Sequence, residues 1–243
     1  MFERIRKFLY RLPLVEHLGI QLLIGLLVSF ALIGVFAAIA EDVVEQEELV
    51  QIDVAFADAL HSLATPTSTE MYRILSFIGM EGLWITGVVV ALYLLLRKQR
   101  LHFAIWLLAL VGGTLLNNAL KLVFARSRPV FIDPFVVEHN FSFPSGHAMM
   151  SLIGFGLFAY FIFQALHSHL ARIFVVFTAV MLVMLIGISR MALGVHYFSD
   201  VMAGFAAGGV WLAACITAMN TIKRRKQAGD PVAQEKTGIA ATT

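Results

Sequence analysis

The sequence predicts an all-α fold: a six-transmembrane-helix bundle with a short amphipathic extracytoplasmic segment between the first two spans. Three observations predict it. Of 243 residues, 59% are hydrophobic and 14% charged, against about half and about a quarter in soluble domains. The apolar excess falls in six runs long enough for bilayer-crossing helices. Basic residues cluster in alternate gaps between those runs, which orients them consistently. Helices are the natural element because lipid offers backbone groups no partners. The roughly ten-residue alternation of an outer-membrane barrel is missing.

The spans are read at residues 18–40, 72–96, 101–124, 145–166, 171–193 and 197–221. Arg4, Arg6, Lys7 and Arg11 precede the first. Arg97, Lys98 and Arg100 separate the second and third, Arg172 lies between the fourth and fifth, and Lys223, Arg224, Arg225 and Lys226 follow the sixth. The positive-inside rule makes these segments and both termini cytoplasmic, in a multi-pass protein of the cell (inner) membrane. The acidic stretch 41–48 and the segments around Arg128 and His196 then face the extracytoplasmic side. Ala38-Ile39-Ala40 after a basic start has the form of a signal-peptide cleavage site, but the apolar stretch is long for such a peptide, so a retained helix is expected.

Between the first two spans, Leu49, Ile52, Phe56, Leu60 and Leu63 recur at helical spacing, with Asp53 and Asp58 between them. This predicts an amphipathic helix on the membrane or capping the bundle. Residues 1–226 read as a single membrane-embedded domain, and the polar segment 227–243 as a disordered cytoplasmic tail. The net charge of +2 gives no sign of a nucleic-acid partner, and the lone Cys215 excludes an internal disulfide. Oligomeric state has no signature here.

Polar residues near the outer ends of the spans fall in three clusters. The first is Lys121 followed by Arg128-Pro129; Arg126 between them reads as peripheral. The second is Pro144-Ser145-Gly146-His147. The third is Ser189-Arg190, His196 and Asp200. The hydropathy-derived topology places all three at one face. A cation near a span end can snorkel to headgroups or pair with Asp133 or Glu138. Three cations gathered with two histidines instead favour a phosphate site, because a transferring phosphoryl group spreads negative charge over its oxygens. Ser145 is a natural helix N-cap, and Gly146 lets an anion approach the free N–H groups of the helix start. His196 and Asp200, spaced i, i+4, share a face if both are helical. A carboxylate on one ring nitrogen leaves the other free to attack, although a capping role also explains Asp200. His147, His196, Asp200, Glu138 and His139 are metal-ligand types, but the surrounding cations disfavour a metal ion.

These clusters, with their order and spacing, resemble the signature of the type 2 phosphatidic acid phosphatase family, membrane lipid phosphatases related to glucose-6-phosphatase and the vanadium haloperoxidases. The motifs run from Lys121 to Asp200, and every signature position is filled. The resemblance implies His196 as the nucleophile that becomes phosphohistidine, Asp200 as its orienting carboxylate, and His147 as the general acid. It implies Lys121, Arg128, Ser145, Gly146 and Arg190 as the phosphate cradle, and neither a metal nor an organic cofactor. Opposite protonation demands on the two histidines then give a bell-shaped pH–rate profile.

The implied activity is hydrolysis of a lipid phosphomonoester or pyrophosphate at the extracytoplasmic face. Undecaprenyl pyrophosphate, phosphatidylglycerol phosphate and phosphatidic acid all qualify as the partner lipid, with the first two preferred. Two alternatives stand beside it: a lipid phosphotransferase using the same intermediate, and a non-enzymatic lipid transporter whose polar path would include Glu81, Asn117 and Asn118. Helix–helix hydrogen bonding is the other expectation for Glu81.

Overall fold

The computed structural model describes residues 20–46 and 48–228, and these form helices and connections without a strand. The N-terminal basic cluster and the tail from 229 onward lie outside the described residues. Helix α1 is Ile20–Glu45, α2 Glu48–Ser62, α3 Pro66–Leu96, α4 Arg100–Phe124, α5 Gly146–Ala165, α6 His169–Ala192 and α7 Phe198–Ala228. All but α2 are long and apolar enough to cross a membrane, and the chain is a multi-pass membrane protein. Their outer surfaces are apolar: Leu27 and Phe30 on α1, and Leu170 and Phe174 on α6, are largely exposed, as lipid-facing positions are.

α3 starts earlier than hydropathy alone suggests. Thr65 accepts a hydrogen bond from the Ser68 N–H, and the Ser68 hydroxyl accepts one from the Thr65 N–H, with Pro66 in the first turn. This reciprocal cap satisfies donors that the helix start leaves open. α3 and α4 each contain a π-turn, at Ile78–Gly82 and Leu108–Gly112. The second coincides with a cross-helix bond, since Ala109 O accepts from Trp211 Nε1 at 3.1 Å. Glu81 lies exposed in the first π-turn and forms no interhelical side-chain hydrogen bond among the described residues, contrary to expectation.

The core lies between α3, α4, α5 and α7, around Trp106, Met149, Ile153, Leu157 and Met219. α7 packs along both α1 and α5. Gly204 and Gly208 make the contact with α5 close: a Cβ at Gly204 would stand 2.7 Å from Ser145 O, and one at Gly208 2.8 Å from Met149 O. Small residues four apart bring two membrane helices to backbone contact in this way.

α2 caps one end of the bundle against α1, α6 and α7. It is amphipathic and caps the bundle, as expected. Ile52, Phe56 and Leu63 of the apolar stripe point outward, while Asp53 and Ala57 are buried. The outward stripe suits a helix resting in the lipid interface. The inward carboxylate is satisfied by partners described below.

Candidate active site

All three motif clusters meet at the end of the bundle capped by α2. Lys121 is in the last turn of α4, His147 in the first turn of α5, Arg190 in the last turn of α6, and Asp200 in the first turn of α7. Arg128 lies in the connection 125–145 and His196 in the connection between α6 and α7. The Ser145 N–H donates to Asp200 O at 2.9 Å, which joins the starts of α5 and α7 directly.

His196 precedes α7 instead of riding on it, so a shared helical face is not what brings it to Asp200. Asp200 reaches back. Its Oδ2 accepts the Tyr197 N–H at 2.9 Å and faces His196 Nδ1 at 3.3 Å. The capping and orienting readings of Asp200 are therefore both met by one oxygen, since an acidic residue in the first turn commonly bonds the backbone at the helix start. With Nδ1 facing a carboxylate, the proton belongs on Nδ1 and Nε2 carries the lone pair. That nitrogen lies 3.2 Å from Arg128 Nη1. His196 is 1% exposed and Asp200 0%. Burial first, then the charges of Arg128, Arg190 and Lys121, hold the His196 pKa well below the ordinary histidine range, with Glu138 opposing.

The cations are held from the 125–145 connection. Arg128 donates from Nε to Asn140 O at 2.7 Å, from Nη1 to Val195 O at 2.6 Å, and from Nη2 to the Asn140 side chain and Phe141 O. Lys121 Nζ donates to the same Phe141 carbonyl. Arg190 donates to Ser76 Oγ at 2.5 Å, and its buried Nε has no partner. The pairing with Glu138 raised from sequence is present. One Glu138 oxygen lies 2.6 Å from Arg128 Nη2, and the other pairs with Arg190. Burial would raise the Glu138 pKa, but Arg190 and Arg128 outweigh it and hold the carboxyl below its ordinary value. Glu138 is thus an acidic group spanning two cations of the cradle. Sequence reading had no reason to choose it over Asp133, because neither falls at a motif position.

Arg126 is not peripheral. It is buried, with Nη1 2.6 Å from Asp200 Oδ1 and Nη2 2.8 Å from Asp53 Oδ2. Ser199 joins the same network, and the Tyr197 ring covers the guanidinium at 4.3 Å. Burial opposes the Arg126 charge, but Asp200 and Asp53 more than offset it and raise its pKa. The proximity of Arg126 to the motif arginine was the available signal; Asp53 lies too far away in sequence to have one.

His147 is partly exposed at the mouth of the site, within Coulombic range of Arg190, His196, Arg128 and Lys121. Ser145 is fully buried and its hydroxyl accepts the Ala148 N–H at 3.5 Å, as an N-cap does. Gly146 is buried, with Asn117 Oδ1 3.0 Å from where a Cβ would stand. Among the described residues no three His, Cys, Asp or Glu side chains gather as a metal-ligating group.

The chain is similar to known proteins in sequence and in fold. Phosphatidylglycerophosphatase B of Bacillus subtilis (strain 168) is 42% identical over 107 residues, a match covering 42% of this chain and 51% of that protein. The chain thus matches about half the length of that curated relative. A crystal structure described as the first transmembrane PAP2 type phosphatidylglycerolphosphate phosphatase from Bacillus subtilis superposes with a TM-score of 0.74 at 29% identity, over 81% of this chain and 98% of that one. Aquifex aeolicus LpxE shares the fold, with a TM-score of 0.55 at 19% identity, over 68% of this chain and 94% of that one. A family model described as the PAP2 superfamily matches residues 102–224, which is half the chain and includes all three clusters. The chain belongs to the PAP2 superfamily.

Proposed function

We propose that this protein is an integral membrane lipid phosphatase, a single catalytic unit over residues 1–226, that works through a phosphohistidine on His196 without a metal ion. The observation that carries the reading is the setting of His196: Nδ1 faces Asp200 at 3.3 Å, while Nε2 faces the cation cluster through Arg128 at 3.2 Å. A neutral, oriented imidazole aimed at an anion-binding cluster is suited to attack phosphorus.

In the proposed cycle the substrate phosphate takes the place of the Glu138 carboxylate between Arg128 and Arg190, with Lys121 beside it. His196 Nε2 forms a bond to phosphorus as the bond to the lipid oxygen breaks. His147 gives that oxygen a proton. Water then attacks the phosphohistidine, His147 takes a proton from it, and the N–P bond breaks to release inorganic phosphate. Asp200 stabilises the positive charge that His196 gains.

Membrane position supports a lipid substrate. An apolar groove of about 630 Å³ lies between α5, α6 and α7, lined by residues including Leu152, Ala159, Val180, Val183, Phe205 and Leu212. Its first lining residues on α5 and α7, Leu152 and Phe205, follow His147 and Asp200 by five positions each, and an acyl chain would fit between these helices. Arg97, Lys98, Arg100, Arg172 and Lys223 lie at the opposite end of the bundle, which supports an extracytoplasmic site. The names of the Bacillus proteins make phosphatidylglycerophosphate the first substrate to test.

The test is phosphate release by purified protein in detergent from phosphatidylglycerophosphate, phosphatidic acid, undecaprenyl pyrophosphate and a soluble ester. EDTA-resistant release that His196→Ala abolishes supports the reading. No release from any lipid by folded protein would move the weight to phosphotransfer or transport. Release abolished by EDTA would contradict the metal-free mechanism.

A further inference from the structure

α2 contributes nothing to the three motifs, yet it sets a fully buried carboxylate one residue away from the partner of His196. Asp53 is 0% exposed. Its Oδ1 accepts the Ser199 N–H at 2.9 Å, and its Oδ2 accepts from Arg126 Nη2 at 2.8 Å and from the Ser199 hydroxyl. The Arg126 guanidinium continues through Nη1 to Asp200 Oδ1 at 2.6 Å, and Asp200 Oδ2 faces His196 Nδ1. One cation is therefore shared by two carboxylates, and the chain of contacts ends on the nucleophile. If Arg126 faced Asp200 alone, it would neutralise the carboxylate that His196 needs as its ring becomes positive. Asp53 divides that charge. It also holds the guanidinium plane, because a fork bonded at both ends cannot rotate.

We propose that Asp53 and Arg126 are positioning residues for phosphoryl transfer: together they orient Asp200 and leave it enough negative charge to stabilise a positively charged His196. The proposal rests on the reading of His196 as nucleophile. A merely structural clamp, pinning α2 to the start of α7, would use the same bonds but would not tune His196.

The two roles differ in what they move. The charged and titratable groups facing His196 are Asp200 from α7, Arg128 and Glu138 from the 125–145 connection, Lys121 from α4, Arg190 from α6 and His147 from α5. Asp53→Asn touches none of them. It removes one negative charge behind Asp200, so the imidazolium loses support and the His196 titration moves to lower pH. The cradle is unchanged, so KM stays near the wild-type value while kcat falls.

The experiment uses the full chain in detergent, with Asp53→Asn and Arg126→Lys. It measures kcat and KM for phosphatidylglycerophosphate across pH, together with the ¹⁵N imidazole titration of His196, assigned by its loss in His196→Gln. The expected result for Asp53→Asn is a kcat lower by about 10- to 100-fold, KM within about twofold, and a His196 titration at lower pH. Arg126→Lys, whose ammonium cannot span both carboxylates, lowers kcat with KM unchanged and decides the matter if Asp53→Asn does not fold. Unchanged kcat and titration would overturn the proposal. So would losses that only track the folded fraction while the remaining activity keeps the wild-type pH profile. If wild-type protein hydrolyses no lipid phosphate, the functional reading fails, and the His196 titration in Asp53→Asn still decides whether the pair tunes the ring.

Discussion

Arg126 and Arg128 are two residues apart and face opposite demands. Arg128 meets the open side of His196, where a phosphate would sit, and Arg126 meets the buried side of Asp200. Their types were legible from sequence, and Glu138 was one of two partners it offered, but the partners of Arg126 were not legible, because the three carboxylates of the network, Asp53, Asp200 and Glu138, come from segments far apart in the chain and only Asp200 stands in a motif. Three predictions belong at this scale. Arg126→Ala leaves Asp53 and Asp200 buried without their cation, and should cost about 3–5 kcal/mol, read as loss of thermal stability in detergent. The acid limb of the kcat/KM profile should lie below the ordinary histidine value: burial and the cations lower the pKa of His196, so the ring stays neutral and able to attack until the pH falls well below the usual range. An acid limb at or above the ordinary value would contradict the assignment. Glu138→Gln should tighten competitive inhibition by inorganic phosphate, since the neutral side chain no longer competes for Arg128 and Arg190.

Hydropathy located the long helices because each has a run of apolar residues that only a bilayer makes comfortable. What it missed were effects that hydropathy does not measure. Thr65 and Ser68 extend α3 by capping, and Asp53 of α2 is buried because Arg126 and Ser199 bond it inside. The i, i+4 spacing of His196 and Asp200 pointed to the correct pair through the wrong geometry, since the helix begins after the histidine. The Gly204-to-Gly208 spacing was a readable signal for the α5–α7 contact. Its consequence is testable: Gly204→Val should drive α5 away from α7, displace Ser145 and His147, and abolish activity with a lower Tm. Gly34→Ala, where a Cβ would meet nothing within 4 Å, should leave both unchanged. The 125–145 connection is docked on α2 by His61, which stacks on Phe131 at 4.0 Å and Phe135 at 4.4 Å. Because the connection carries Arg128 and Glu138, α2 supports the site from two directions.

At the scale of the whole molecule, the described charged residues gather mostly at the two ends of the bundle. The end bearing the motif clusters holds cations balanced by buried carboxylates, and an apolar groove lies between α5, α6 and α7. In the proposed function this division separates recognition of the phosphate from recognition of the tail. Filling the groove with Ala159→Trp should therefore raise KM for a lipid phosphate and leave hydrolysis of a soluble phosphate ester unchanged. The proposed function passes a phosphoryl group through His196. Its most direct test is rapid quenching of the purified protein during turnover of lipid labelled with ³²P in the transferred phosphate. A phosphohistidine on His196 gives a covalent protein label that is stable to base, labile to acid, lost on chase with unlabelled lipid and absent from His196→Ala. Turnover without such a label, or a label that persists in His196→Ala, would contradict it.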